Sequence, residues 1–247
     1  MGIAACFDVW IGHFSLKYPS LLSFDRASRN DIMMRERLDK VDPFLLRDSF
    51  KKVFASFKRG KGLEQFTYLG HCLLSVDGTG YFSSPTVKCD QCFKKHHRDG
   101  SVSYYHMMLG AVLVYPWIKH VIPLPPEQIM NEDGSKRNDC ERNAGNRMLP
   151  QIRREHPKLK LIVLEDGLAS NGPDIKLLQE QDMRYILVAK PKDHKFLFEC
   201  VESSSKTTML ETVDHYGMQY RYLNQVLFKK SHPDLMVNFL EFPGNRS

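Results

Sequence analysis

Several things are scarce in this chain. It has six cysteines in 247 residues, too few to staple a domain of this length. A disulfide scaffold is excluded, and a reducing compartment is expected. No apolar run nears the roughly 20 residues that span a bilayer; Met107–Tyr115 is among the longest. The opening residues lack a basic leader and a clear cleavage site, so no signal peptide is read. A cytoplasmic protein with no membrane partner is the expectation. Internal repeats and low-complexity tracts are missing too.

What is present belongs to a globular chain: 42% hydrophobic, 26% charged and 11% aromatic residues. The length allows one large domain, or one with a small appendage. The formal charge is +6, unevenly spread. Residues 1–70 hold 12 basic and 8 acidic side chains, and residues 71–200 hold 18 and 16. A basic first part permits nucleic-acid binding without establishing it.

Three regions follow from the pattern. Residues 1–70 read as a helical unit. Ser28-Arg29-Asn30-Asp31 starts a helix over about Asp31–Val41. Asp42-Pro43 restarts the chain, and Phe50, Val53, Phe54 and Phe57 recur near helical spacing until Arg59-Gly60-Lys61-Gly62. Lys51, Lys52, Lys58, Arg59 and Lys61 would contact DNA; packing or dimerisation is the equal alternative. Residues 71–194 read as the core. His71–Val76, Ser101–Tyr115 and Lys119–Leu124 are strands, a helix runs from Asn138 or Asp139 to about His156, and Pro150 should kink or interrupt it. Leu159–Leu164 is a strand, Pro173–Gln181 a helix and Tyr185–Ala189 a strand. Three antiparallel strands followed by helix-linked strands imply a mixed α/β sheet with the later strands parallel to the first. Residues 195–247 read as mainly β, with strands at Met218–Phe228 and Leu235–Phe242 and a polar break at Glu202–Thr208.

Asp77 and Asp166 each close an apolar strand, and each precedes glycine. Ligands gather at such strand ends in open α/β sheets. On neighbouring strands the two carboxylates would converge, and Mg²⁺ or Mn²⁺ would relieve their repulsion. Singly, each Asp-Gly is more often a turn.

Cys89-Asp90-Gln91-Cys92 supplies two thiolates at zinc-knuckle spacing, with His96 or His97 as nearby imidazoles and Cys72, Cys140 and His106 as remote donors. The alternative is a loop of reduced thiols. Lys94, Lys95 and Arg98, with the two histidines, form a basic patch that would hold a phosphate backbone or simply be solvated. Asp139 and Glu141 at the helix start read as capping and dipole complementarity before metal ligation. The arginines Arg142, Arg147, Arg153 and Arg154 read as a solvated face. Lys190-Pro191-Lys192 is read as a chain boundary before a phosphate contact.

Three runs carry a resemblance. Leu74-Ser75-Val76-Asp77-Gly78-Thr79-Gly80-Tyr81-Phe82-Ser83-Ser84 resembles the first-aspartate segment of DDE transposases of bacterial insertion sequences. Asn138–Ala144 is similar to the helix between that family's third and fourth strands, and Leu161–Asn171 to its second-aspartate segment. The resemblance covers roughly residues 25–240. It implies an RNase H-like fold and metal-dependent DNA strand cleavage and transfer at transposon ends, with Asp77 and Asp166 in the acidic triad and Mg²⁺ or Mn²⁺ as cofactor. It also implies a DNA partner, a homodimer on DNA and a nucleoid-associated location. The family's third carboxylate lies on a helix after a mainly β insertion. Glu199, Glu202, Glu211 and Glu241 match no such helical motif. The resemblance therefore implies a chain truncated before the final catalytic helix, inactive or impaired. A non-catalytic DNA-binding remnant and a zinc-stabilised nucleic-acid-binding module are the alternatives.

Overall fold

The computed structural model describes residues 45–131, 137–167, 169–205, 211–215 and 218–241. The helix expected over Asp31–Val41 and the caps expected of Asn138 and Asp139 lie outside the described residues and side chains. The chain divides into two compact units. One holds Met1–Leu164 with Gln181–Tyr185; the other holds Glu165–Glu180 with Ile186–Ser247.

In the first unit, helix α1 (Leu45–Arg59) follows Pro43, as the restart signal predicts. Gly60 ends it, and Lys61 turns the chain with a left-handed φ of 59°. A short 3-10 turn (Gly62–Phe66) leads to β1 (Thr67–Tyr68) and the long β2 (His71–Ser84). There follow β3 (Phe93–His96), β4 (Val102–Tyr115), β5 (Ile118–Pro123) and β6 (Glu127–Ile129). Helix α2 (Arg137–Glu155) then crosses over to β7 (Leu161–Glu165).

The sheet order is β3-β4-β2-β7-β8, with β1 on β2 and both β5 and β6 on β4. β2 runs antiparallel to β4, with Asp77 opposite Gly110. It runs parallel to β7, from Cys72 opposite Leu161 to Ser75 opposite Leu164. The helix crossover thus makes the parallel return that the sequence predicts, and the result is a mixed α/β sheet with flanking helices.

Burial explains α2. Cys140, Ala144, Met148 and Ile152 recur every fourth residue and are all buried, forming one apolar stripe. The helix continues through Pro150, so the proline does not interrupt it. Met148, Leu149 and Ile152 are buried around the proline, and each large apolar side chain contributes about 1.5–3 kcal/mol. Together they offset the roughly 3 kcal/mol that an interior proline costs.

A second expectation also changes. Asp77-Gly78-Thr79-Gly80 does not end a strand, because β2 continues to Ser84. No positive φ occurs at Gly78 or Gly80, so these glycines make no turn. Gly78 serves close approach instead: a Cβ there would collide with the Glu141 carboxylate of α2.

In the second unit, Asn171 caps helix α3 (Gly172–Glu180). Its side-chain Oδ1 accepts from the Asp174 backbone N–H at 3.1 Å. Strand β8 (Arg184–Leu187) straddles the division between the units. Residues 195–247 are not β from their start: helix α4 (Lys195–Ser205) comes first. Leu197 and Val201, one turn apart, are buried. The antiparallel sheet of β9 (Glu211–His215), β10 (Met218–Lys229) and β11 (His232–Glu241) follows. Phe198 of α4 meets Phe239 of β11 edge to face at 5.4 Å.

Candidate metal centre and the carboxylates at the strand ends

Cys89 and Cys92 lie in the connection between β2 and β3. The backbone N–H of Cys92 donates to the Cys89 carbonyl at 3.2 Å, closing the knuckle. In return the Cys89 N–H donates to the Cys92 Sγ at 3.3 Å. Strand β3 then pairs with β4, with Phe93 opposite Tyr105. One step back along that ladder, Cys92 falls opposite His106.

A bulge completes the arrangement. On β4 the buried residues alternate as Met107, Leu109, Ala111 and Leu113. His106 is out of phase with them and still buried, at 4% exposure. The register slips between Gly80 and Phe82 of the facing β2, and such a slip re-aims side chains. Tyr81 stacks on the imidazole at 6.0 Å and Phe82 tilts against it at 5.8 Å.

His106 Nε2 lies 3.2 Å from Cys89 Sγ and 3.3 Å from Cys92 Sγ. The two sulfurs are 3.6 Å apart, and both thiols are free. A tetrahedral ion at thiolate and imidazole bond lengths needs edges of roughly 3.8 Å between sulfurs and 3.6 Å from sulfur to nitrogen. The three donors sit within a few tenths of an ångström of that frame. This buried group could hold a metal ion. Burial pushes the Cys92 thiol up and the His106 imidazole down. The His106 shift favours the neutral imidazole that coordinates metal, whereas a cation would have to draw the Cys92 proton off.

His96 and His97 do not join this group. Both are exposed, and His97 Nε2 instead meets the Ser103 hydroxyl at 2.7 Å. Proximity in sequence favoured them, but they stand on the far side of the ladder step that matters. Counting back from the β3–β4 register would have found His106. Cys72 and Cys140 are buried elsewhere in the core.

Asp77 is exposed in the middle of β2, two residues beyond Ser75, the last residue paired with β7. In the second unit, exposed Asp166 follows the end of β7, two residues beyond Leu164. Beside Asp166, Glu165 is pushed up to about 7 by burial and then by the carboxylates of Asp174 and Asp166. A Cβ on Gly167 would press on the Lys190 side chain at 3.0 Å, so Lys190 lies against the Asp166-Gly167 turn. Among the described residues, no three carboxylates come together as the two thiols and His106 do.

The basic residues divide. Lys51 Nζ lies 3.4 Å from Glu155 and 3.7 Å from Asp48; it helps dock α1. Lys52, Lys58, Arg59 and Lys61 are exposed near the end of α1, as are Lys94, Lys95 and Arg98 around the β3–β4 hairpin tip. The arginines of α2 are not a uniform solvated face. Arg147 bonds Glu127 at 2.9 Å and the Gln128 carbonyl at 2.8 Å, and Arg153 clamps three backbone carbonyls.

No protein-family model, no curated protein and no solved structure matches the chain.

Proposed function

We propose that the chain is the RNase H-like catalytic portion of a DDE-type DNA transposase, with Asp77 and Asp166 as metal-binding members of its acidic triad. The observation that supports the reading is the mixed sheet of the first unit, in which β7 returns parallel to β2 through α2, with Asp77 exposed two residues past the last pairing of β2 with β7. Mg²⁺ or Mn²⁺ bound there would supply charge stabilisation for in-line phosphoryl transfer. The chain's own residues would hold and orient. β4 fixes Asp77 from the other side of β2, through Gly110. Lys190, against Gly167, places a cation where a DNA phosphate could be received. The exposed cations at the end of α1 and around the β3–β4 hairpin would position the DNA backbone.

The test is nicking of supercoiled DNA by the purified chain with Mn²⁺. The reading expects slow, metal-dependent nicking that Asp77→Asn and Asp166→Asn each abolish. Nicking that persists in both variants, or no nicking alongside intact DNA binding, would leave only a DNA-binding remnant.

One observation favours a second, compatible reading. The spacing of Cys89, Cys92 and His106 fits Zn²⁺ with a fourth donor from outside this trio. Its role would be to fix the β2–β4 connection of a nucleic-acid-binding module. Zinc analysis of the purified chain decides this: about one equivalent supports the reading, and none overturns it.

A further inference from the structure

The sheet has a second end. Asp77 lies six residues along β2 from His71, roughly 20 Å at strand rise. Around His71, in the first unit, opens a cavity of about 390 Å³. Its walls carry Arg153, Lys158, Lys160 and Arg184 against a single carboxylate, Asp182. Four cations around one concavity favour an anion.

The cavity is built by backbone bonds. Arg153 donates from Nη1 to the Leu159 carbonyl at 2.8 Å, from Nε to Gln181 at 2.7 Å and from Nη2 to Asp182 at 2.9 Å. One guanidinium thus ties α2 to the turn before β7 and the turn before β8. The turn before β7 carries Lys158 and Lys160, and Arg184 opens β8. The Lys160 carbonyl also accepts from the Cys72 N–H at 2.8 Å. Arg153 is therefore a positioning residue, and the other three are the cations that face outward. All three are exposed. Among the described residues none forms an ion pair with Lys158, Lys160 or Arg184, and Asp182 pairs with none of them.

We infer that this cavity is a backbone-phosphate subsite for a nucleic-acid strand. Three unpaired cations on two chain segments, Lys158 and Lys160 before β7 and Arg184 at the start of β8, suit successive phosphates better than one small anion. The lining has no Phe, Tyr or Trp, so it offers no aromatic platform for a base and would read charge, not sequence. The inference stands apart from the catalytic reading, because the site opens around the first residue of β2, six residues along the strand from Asp77, and needs no divalent cation.

The test uses the full chain and a labelled DNA duplex of arbitrary sequence, without Mg²⁺ or Mn²⁺, between about 50 and 200 mM salt. The triple variant Lys158→Gln/Lys160→Gln/Arg184→Gln should bind at least about tenfold more weakly. Its slope of log affinity against log salt should shrink by roughly 2 to 3, from about 0.9 per phosphate released. Should the triple variant melt early, the three single variants replace it, each expected to lower the slope by about 0.9. Asp77→Asn should bind like the parent in this assay, so a failure of cleavage and a failure of this site are separable. An unchanged slope and affinity in the folded variants, or a parent chain that does not bind duplex at low salt, overturns the inference.

Discussion

The two chemistry-bearing regions differ in how the fold assembles them. Cys89, Cys92 and His106 span 18 residues and are joined by one hairpin ladder, so local pairing sets their distances to within a few tenths of an ångström of a metal frame. Asp77 and Asp166 lie 89 residues apart in sequence and in different compact units. The sulfur site is buried and desolvated; both aspartates are exposed. On the proposed readings the buried trio serves the fold, so its loss should be felt in stability, and the exposed aspartates serve metal-dependent cleavage, so loss of either should be felt in turnover.

The sharpest way to break this comparison is Cys92→Ser. Binding free energy at a structural metal site is folding free energy, so bound zinc should vanish. The thermal midpoint should fall by on the order of 10 °C, the scale of a few kcal/mol in a chain of this length. Metal analysis with calorimetry checks both. Retention of zinc and midpoint would remove the structural role.

Next comes Gly78→Ala. The new methyl meets the end of the flexible Glu141 side chain, which can swing aside, so the cost should sit at or below the low end of the roughly 1–3 kcal/mol of overpacking. Denaturant unfolding should show it. Gly100→Ala, where no neighbour crowds a Cβ but φ is +83°, separates crowding from backbone strain.

A smaller effect concerns pH. Burial lowers the His156 imidazole, which tilts against Phe54 at 4.2 Å. Burial alone would raise Glu155, but bonds from Gln151 and Arg47 bring it below the usual carboxylate range. Both folded values are depressed, so both contributions are present above the unfolded values and are lost as pH falls. The His156 share begins to go below about 6.5 and the Glu155 share below about 4.3. Stability followed between those values should fall, and Phe54→Ala should abolish the stacking with His156 while leaving the carboxylate step.

The smallest expected effect is that of His96→Ala/His97→Ala, which should leave zinc content and thermal midpoint unchanged. A loss of zinc there would mean that the hairpin tip folds back to complete the site.

Much of this was legible in the sequence. The order of the longer strands and helices from residue 71 to 189 follows from apolar runs broken by Pro, Gly and Asp, whereas the short strands β3 and β6 do not stand out in it. What escaped were features that depend on partners. Asp77-Gly78-Thr79-Gly80 looks like a turn because glycine is a turn residue, but these glycines give a strand room beneath Glu141. Pro150 looks like a breaker because its cost is local, whereas the burial that offsets it is tertiary. His106 looked remote because the bulge that aims it belongs to the other strand. Helix α4 was hidden because Leu197 and Val201 supply only a two-residue stripe in a short segment.

On the proposed transposase reading, Asp77 and Asp166 are both needed for divalent-metal binding. Mn²⁺ binding to the purified chain, followed by electron paramagnetic resonance, tests this most directly. The reading predicts that Asp77→Asn and Asp166→Asn each weaken Mn²⁺ binding. Binding that survives both substitutions would contradict it.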